Sequence, residues 1–543
     1  MRRLLVPAVV LTAGMAAGLA SAATIAGTNG PDRIRGTAGA DVLFGRGGND
    51  SITGLGGDDL IDGGTGSDVI AGNGGADRIV SAGDGAPDRV TCGAGRDIVN
   101  ASLSDSVAPS CEVVSRQLSR DSLTNAGGQH ETEVEPDSFA FGSTIVTVFQ
   151  LGRFAGGGAS SIGFATSTNA GRSWTSALLP RLSVLPARGA RYDAVSDPSV
   201  AYDARHRTWL AASLALQGSA NLVAISRSAN GRRWRAPTIA IDSTVVEVDK
   251  PWVACDNAPH SRFRGRCYLS YTAFPRGDLE LVSSRNGGRS WSNPVIVTPR
   301  LPVTALAQGV QPVIRPDGML VLVYDVFSDP GVDTLAATRS SDGGSTFSAP
   351  VTISRVQSEP IIGVRAPPFP SAAVDARGTV YVAWSDCAFR ADCAANDVVL
   401  ATSPNGVSWT GPQRVPTGEG TDAVDRFLPG LDVTTGADGR TRIAIAYYSV
   451  PQPQNCNLFI SCPGTDVELV TSADGGASWA RPQRLSAETM RPEWLADGGL
   501  GSMVGDYIST SYVRGRPIPV FAIGLARDGA RLHEAIFATT RLP

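Results

Sequence analysis

The run GTNGPDRIRGTAGADVLFGRGGNDSITGLGGDDLIDGGTGSDVIAGNGGADRIV, residues 27–80, consists of six consecutive units of nine residues. Each unit has glycine at its first or fourth position or both, aspartate at its sixth and an aliphatic residue at its eighth. Two further units, GDGAPDRVT (residues 83–91) and CGAGRDIVN (residues 92–100), follow a two-residue insertion. Glycine permits turn conformations that other residues resist. The pattern therefore predicts a coil of short strands, each with one inward aliphatic side chain. The alternative, a flexible Gly/Asp-rich linker, gives no reason for the aliphatic position.

The nonapeptide resembles the RTX-type calcium-binding repeat, whose pattern is G-G-x-G-x-D-x-U-x. In that family two nonapeptides make one coil of a parallel β-roll, so residues 18 apart stack. The resemblance implies that stacked carboxylates and turn carbonyls bind Ca²⁺, which prefers oxygen ligands. The implied metal ligands are Asp32, Asp50 and Asp68 on one edge and Asp41, Asp59 and Asp77 on the other. Asp88 and Asp97, in the irregular last units, are less secure as ligands.

The N-terminus has the pattern of a removed signal peptide. Arg2-Arg3 precede an apolar run from Leu4 to about Ala20, and small residues follow at Ser21-Ala22. No later run approaches the roughly 20 apolar residues that a membrane-spanning helix needs. We therefore predict a secreted, extracellular protein with a signal peptide at 1–22, a calcium-binding β-roll at 23–112 and a second domain at 113–543. The net charge of −4 gives no basic surface for nucleic acid.

Eight cysteines fit an oxidising compartment and fall into close sequential pairs. Local pairing predicts four short disulfide loops, although spacing alone does not prove connectivity. The predicted pairs are Cys92 with Cys111, Cys255 with Cys267, Cys387 with Cys393, and Cys456 with Cys462. A cysteine–histidine metal site is disfavoured, because no pair has C-x-x-C spacing and the four histidines are scattered.

A second repeat, a turn signature, begins after residue 120. Its copies are STNAGRSW (167–174), SRNGGRSW (284–291), SSDGGSTF (340–347) and SADGGASW (472–479), with weaker copies RSANGRRW (227–234) and TSPNGVSW (402–409). The pattern resembles the Asp-box, or BNR repeat, of sialidase-like β-propellers. In these turns Asn169, Asn286, Asp342 and Asp474 can accept hydrogen bonds from the backbone, whereas Ala229 and Pro404 in the same slot cannot.

Another recurring feature lies roughly 30–45 residues before each of the six turns, and a seventh copy at the end of the chain has no turn after it. We interpret these segments as entrances to the innermost strands: Glu135-Pro136-Asp137, Asp197-Pro198-Ser199, Asp249-Lys250-Pro251, Gln311-Pro312-Val313, Phe369-Pro370-Ser371, Leu428-Pro429-Gly430 and Gly505-Asp506-Tyr507. The last has three strands after it, and residues 113–121 could supply a fourth. The fold class predicted is all-β, a short parallel β-roll followed by a β-propeller, with seven blades favoured over the six of sialidases.

The single lysine, Lys250, lies at one of these entrances, while the other 46 of the 47 basic residues are arginine. Inner strands line the channel of a propeller, where ligands usually bind. We predict Lys250 and Glu135 as ligand-binding residues and Asp249, Asp197, Asp506 and Tyr507 as candidate catalytic residues. The structural alternative is a lysine whose stem packs on apolar surface while its ammonium pairs with a carboxylate.

Two functions remain open. The sialidase motif F/Y-R-I-P is absent, and Arg514-Gly515-Arg516-Pro517-Ile518-Pro519 does not match it. The resemblance therefore implies the fold but not the catalytic residues. The first function is non-catalytic binding of a glycan or cell-surface ligand. The second is hydrolysis of an extracellular glycan by an exo-glycosidase with two channel-mouth carboxylates.

Removal of calcium should unfold the repeat segment and leave the second domain folded, because stacked carboxylates repel one another without a cation. Circular dichroism with and without a chelator measures this. Identical spectra would contradict calcium-dependent folding.

Overall fold

The structure is a computed structural model that describes residues 22–543 except 187–188, 190–191, 299–300, 303, 329–332, 453–462 and 528–530. The predicted signal peptide, apart from Ala22, and the predicted Cys456–Cys462 pair lie outside the described residues. Within the described part of the chain, no helix is long and apolar enough to cross a membrane.

The N-terminal segment alternates turns with very short strands, which stack in parallel on two faces. Its strands are β1 (Thr24–Ala26), β2 (Arg33–Arg35), β3 (Val42–Phe44), β4 (Ser51–Gly56), β5 (Leu60–Asp62), β6 (Val69–Gly74), β7 (Arg78–Ser81), β8 (Arg89–Ala94), β9 (Ile98–Ala101) and β10 (Ser106–Val107). The even-numbered strands form one parallel sheet, and the odd-numbered strands pair in parallel on the other face. We call this segment the coil.

The aliphatic residues at the eighth position of each unit fill the interior of the coil. Ile52 lies opposite Ile70 in the register of one face, and Ile61 lies opposite Ile79 in that of the other. All four are buried. Residues 18 apart therefore stack as predicted, and each added turn extends two columns of apolar side chains.

The rest of the chain is antiparallel. Its strands are β11 (Val113–Gln117), β12 (Gln129–Phe141), β13 (Thr144–Arg153), β14 (Ala159–Ser167), β15 (Thr175–Ser183), β16 (Ala194–Asp203), β17 (Thr208–Gln217), β18 (Ala220–Ser228), β19 (Thr238–Ser243), β20 (Glu247–Cys255), β21 (Cys267–Phe274), β22 (Asp278–Ser284), β23 (Val295–Ile296), β24 (Ala305–Ile314), β25 (Leu320–Ser328), β26 (Asp333–Ser340), β27 (Val351–Val356), β28 (Ser371–Val374), β29 (Val380–Asp386), β30 (Asp397–Ser403), β31 (Gln413–Arg414), β32 (Val424–Thr435), β33 (Thr441–Pro451), β34 (Asp466–Ser472), β35 (Gln483–Arg484), β36 (Ala496–Asp497), β37 (Ser502–Met503), β38 (Ser509–Val513), β39 (Arg516–Gly524) and β40 (Glu534–Arg541). Two short 3-10 helices span Ala391–Cys393 and Pro492–Trp494.

From β12 to β35, each group of four successive strands pairs in order. The first strands of neighbouring groups pack side by side, from β12 through β16, β20, β24, β28 and β32 to β38, and β38 packs back on β12. We call this closed arrangement the ring. As expected for residues 113–121, β11 pairs antiparallel with β40 and completes the last group.

The predicted fold class requires correction. The all-β class is confirmed, but the prediction of a short roll followed by a separate β-propeller is wrong. The parallel segment is a β-solenoid of about five turns, and its sheet does not stop where the repeats end. Through the pairs β9–β11, β11–β40, β12–β40 and β14–β16, the sheet of odd-numbered strands continues into one 17-stranded sheet, while β20 to β35 form four separate four-stranded sheets. The physical reason is that an edge strand has unpaired N–H and C=O groups, and β11 satisfies those of β9.

The predicted capping of the turns is found at four positions. For example, Asp474 Oδ1 accepts a hydrogen bond from the Ser478 amide at 2.8 Å, and Asn286 Oδ1 accepts one from the Ser290 amide at 3.1 Å; Asn169 and Asp342 cap their turns in the same way. In the two weaker copies the cap lies one residue later, at Asn230 and Asn405. The sequence alignment on Ala229 and Pro404 therefore placed the acceptor one position too early.

Three of the four predicted disulfides are present: Cys92–Cys111, Cys255–Cys267 and Cys387–Cys393. Cys111 lies two residues before β11, so the first bridge ties the end of the coil to the strand that closes the ring.

Ile70→Ala should destabilise the coil of the calcium-loaded protein by about 2–5 kcal/mol, because it leaves a cavity in the inner column. The neighbouring Val69, 51% exposed, provides the matched control, and Val69→Ala should change stability by less than about 0.5 kcal/mol. Urea unfolding followed by circular dichroism measures both. Equal losses of unfolding free energy in the two variants would show that the inner columns do not stabilise the coil.

Candidate functional site

The aspartates at the sixth position of the nonapeptides form two rows along the coil. In each row, one oxygen of an aspartate accepts a hydrogen bond from the backbone amide of the aspartate one turn earlier. The Asp32 amide donates to Asp50 Oδ1 at 2.8 Å and the Asp41 amide to Asp59 Oδ1 at 2.8 Å. The same contact recurs along both rows, with Asp68, Asp77, Asp88 and Asp97 as the acceptors. The two predicted edges are therefore present.

The second oxygen of most of these carboxylates is buried without a hydrogen-bond partner. This holds for Oδ2 of Asp50, Asp59, Asp68, Asp77, Asp88 and Asp97. Burial, reinforced by the neighbouring carboxylates, raises the pKa of Asp68 to about 6 and that of Asp77 to about 7. Rows of unsatisfied carboxylate oxygens fit a hard divalent cation. No group of three metal-binding side chains occurs among the described residues, so further oxygens would come from backbone carbonyls of the turns.

The first aspartate of each row, Asp32 or Asp41, differs from the later ones. Thr28 donates its amide to Asp32 Oδ2 at 2.6 Å and its hydroxyl at 2.8 Å, and Thr37 makes the corresponding contacts to Asp41. In these two predicted ligands the Oδ2 atom therefore already accepts a hydrogen bond from the protein. Asp88 and Asp97, which the sequence left in doubt, have the unsatisfied oxygens instead.

The glycines at the first position allow the aspartates to approach the backbone. A Cβ atom on Gly54 or Gly72 would lie 2.1 Å from Oδ2 of Asp59 or Asp77, respectively. The fourth position requires glycine for a different reason, since Gly57 has a φ of +94°.

In the ring, four of the predicted strand entrances are bulges within the first strands. Glu135, Asp197, Lys250 and Leu428 have φ angles of 54°, 45°, 49° and 50°, in the left-handed region. The pairing register shifts at each of them, in β12, β16, β20 and β32. A bulge changes the direction of a side chain, and such strain, about 1–3 kcal/mol per residue, is concentrated at functional sites.

Two of the other bulged residues, Glu135 and Asp197, meet the side chain of Lys250. Its Nζ atom lies 2.6 Å from Asp197 Oδ1, 2.6 Å from Asp506 Oδ2 and 3.6 Å from Glu135 Oε1. Arg365 approaches Asp506 from the other side, with Nε 2.7 Å from Oδ1. We call these five residues the central cluster. Lys250 is only 8% exposed, so the cluster is an internal ion-pair network.

Charge compensation sets the protonation of the central cluster. Although burial opposes it, the three carboxylates keep the pKa of Lys250 well above its usual value. Despite the same desolvation, Lys250 and Arg365 hold the pKa of Asp506 well below its usual range. Burial dominates at Glu135 and raises its pKa to about 7, against the opposing charge of Lys250. The pKa of Glu135 is thus shifted in the opposite direction from that of Asp506.

The other two predicted residues lie beside the cluster. Asp249 Oδ1 accepts a hydrogen bond from the Lys250 amide at 2.9 Å, and its other oxygen accepts one from Gln308. The Tyr507 hydroxyl donates to the Pro198 carbonyl at 2.9 Å, and its ring packs edge-on against Trp252 at 5.0 Å. All six predicted residues are therefore brought together, but the Tyr507 hydroxyl is engaged with the backbone.

A cavity of about 770 Å³ extends from the central cluster along the axis of the ring. The first strands line it, and Lys250, Asp506 and Tyr507 are at its cluster end. Trp252, Phe369 and Tyr507 are half-buried around this end, and Lys250 Nζ is 6.0 Å from the ring centres of both Phe369 and Tyr507. We call this space the central cavity.

Sequence reasoning missed Arg365, Trp252 and Phe369. Arg365 belongs to the segment between β27 and β28, which carries no repeat, so no signal identified it. Phe369 lies in a predicted strand entrance, Phe369-Pro370-Ser371, but it was not predicted as a site residue, because the prediction took only charged residues and Tyr507 from these segments.

Residues 26–61 and 53–85 match the profile of the RTX calcium-binding nonapeptide repeat. The predicted cofactor, Ca²⁺, is thereby confirmed for the coil. No curated protein sequence matches the chain.

Three solved structures of glycan-active enzymes are similar to the chain. The intramolecular trans-sialidase from Ruminococcus gnavus shares 14% identity, covers 60% of this chain and 92% of its own, and has a TM-score of 0.39. A polysaccharide lyase that is an ulvan lyase shares 13% identity, covers 77% and 96%, and has a TM-score of 0.47. The α-L-arabinanase from Penicillium chrysogenum shares 14% identity, covers 63% and 92%, and has a TM-score of 0.40.

Lys250→Met should destabilise the protein by about 3–5 kcal/mol at neutral pH, because three buried carboxylates lose their shared cation. The loss should shrink as the pH falls below about 7, since a carboxyl with a raised folded-state pKa favours folding when protonated and costs stability when ionised. Urea unfolding across this range measures both effects. Glu247→Gln, an exposed change on the same strand, is the control. A pH-independent loss would contradict the charge argument.

Proposed function

We propose that the chain is an exported calcium-binding protein whose ring binds a glycan in the central cavity without hydrolysing it. The calcium-binding part corresponds to residues 23–112 and the glycan-binding part to residues 113–543. Export agrees with the signal-like N-terminus and with the RTX repeats, which are typical of secreted proteins.

The observation that carries the proposal is the half-buried aromatic wall beside a fixed ammonium. Trp252, Phe369 and Tyr507 offer apolar faces to the central cavity, and cavities of this size class, mostly apolar with a few oriented polar groups, are usual ligand sites. Lys250 would orient a ligand hydroxyl, because an ammonium has donors only.

The absence of hydrolysis is inferred from the state of the carboxylates. Asp197 and Asp506 each accept a hydrogen bond from Lys250 at 2.6 Å, and Asp506 is also paired with Arg365. A nucleophile or general base has to give up such partners before it can react, and in a buried site this is costly.

The calcium ligands proposed for the coil are also refined by the contacts. We infer that Asp50, Asp59, Asp68 and Asp77 bind Ca²⁺ together with Asp88 and Asp97. Asp32 and Asp41 contribute less, because threonine donors already occupy them.

A second candidate function is an exo-glycosidase acting through the same cluster. Two oxygens that both lie 2.6 Å from one nitrogen are no more than about 5 Å apart, close to the carboxyl separation of retaining enzymes. Glu135, with a pKa raised to about 7 by burial, would then be the proton donor.

The test is to measure binding and product release on the same polysaccharides with the calcium-loaded mature protein. We expect binding, weakened about tenfold or more by Trp252→Ala, and no released sugar by mass spectrometry. Trp291→Ala, a half-buried tryptophan outside the cavity, is the matched control.

Each outcome distinguishes the two functions. Sugar released by the parent and lost in Glu135→Gln would replace binding with hydrolysis. Binding that is unaffected by Trp252→Ala would place the ligand elsewhere on the molecule.

A further inference from the structure

The lining of the central cavity is strongly biased in charge. Its charged side chains are the four aspartates Asp137, Asp375, Asp432 and Asp506 and one cation, Lys250. No arginine among the described residues lines the cavity, although arginine makes up nearly all the basic residues of the chain. The composition of the chain therefore does not explain the bias.

The charged groups next to the cavity lining do not reverse its net negative charge. Within the central cluster, Glu135 and Asp197 lie beside Lys250, and Asp249 is adjacent in sequence. Two further cations lie there: Arg365 pairs with Asp506, and the buried Arg153 opposes the rise in the pKa of Glu135. The acidic groups around the cluster end of the cavity thus outnumber the basic ones.

The aspartates are held in place by the ring itself. Asp137 Oδ2 accepts a hydrogen bond from the Val200 amide at 2.7 Å, and Asp432 Oδ2 accepts one from the Tyr512 amide at 2.6 Å. These contacts join the first strands of neighbouring groups. These contacts fix the positions of the carboxylates, and burial raises the pKa of Asp137 to about 7 and that of Asp432 to about 6. The negative field of the cavity is therefore fully developed only above neutral pH.

We infer that the central cavity excludes acidic glycans and takes a glycan without carboxylate or sulfate groups, with amine-bearing sugars favoured. This inference rests on the proposed function for the identity of the ligand as a glycan. Its physical basis is that low-dielectric walls of one charge focus the field, repel anions and concentrate cations.

The first experiment measures the field without any glycan. Trp252 lines the cavity, so its fluorescence, taken as the difference between the parent and Trp252→Phe, reports collisions inside. The quenching constants of caesium and of iodide are compared at low ionic strength. Each constant is divided by the constant that the same ion gives with free N-acetyltryptophanamide. We expect caesium to be favoured about threefold or more, and added salt to reduce this preference.

A charge variant checks the source of the preference. Asp432→Asn keeps an oxygen to accept the Tyr512 amide but removes one charge, so the caesium preference should fall. Asp438→Asn removes an exposed charge outside the cavity and should leave it unchanged. If iodide quenched Trp252 of the parent as strongly as caesium, or more strongly, the inference would be overturned.

The second experiment uses three hexasaccharides of equal length: chitosan, its fully N-acetylated form and polygalacturonate. We expect the anionic hexamer to bind about tenfold or more weakly than the neutral one, and the amine-bearing hexamer at least as tightly. Tightest binding of the anionic hexamer would overturn the inference but not the proposed function. If none binds, the proposed function fails, and the quenching ratio still decides the charge selectivity.

Discussion

The ammonium of Lys250 is the interaction on which the centre of the ring depends. It contacts carboxylates from β12, β16 and the segment before β38, and the most distant of them, Asp506, is 256 residues from Lys250 in sequence. Carboxylates this close would repel one another strongly in a buried site. A compact cation with three donors can satisfy several oxygens at once, whereas the planar fork of arginine is suited to one carboxylate. Arg365 has that second role, because its Nε and Nη2 atoms both donate to Asp506.

The network also explains the strained backbone. Glu135, Asp197 and Lys250 occupy left-handed conformations that non-glycine residues avoid. Their bulges turn the side chains towards the axis of the ring, and the ion pairs formed there offset the local strain. Strand geometry and electrostatics are therefore coupled at the same residues.

A second constraint connects the coil with the ring. β11 pairs in parallel with β9 and antiparallel with β40, so the strand that closes the ring is also the continuation of the coil. Asn100 strengthens the contact, because its side chain donates to the Leu485 carbonyl and accepts from the Ala487 amide. Calcium binding by the aspartate rows is thus mechanically linked to the last sheet through a shared strand, rather than confined to a separate head.

The sequence by itself determined whatever depends on short spacings. The nonapeptide fixed the inward columns, the two aspartate rows and the calcium cofactor, because each turn repeats the same local geometry. The recurring segments at the predicted strand entrances singled out Glu135, Asp197, Lys250 and Asp506 as inner residues. Close cysteine spacing predicted the three disulfides that the structure describes. Tertiary structure alone decided that these side chains meet at one ammonium, that Arg365 joins them, and that the coil and ring share a sheet. The reason is that such contacts depend on closing the ring over hundreds of residues, and no local spacing encodes which distant edge strand or charge will be adjacent once it closes.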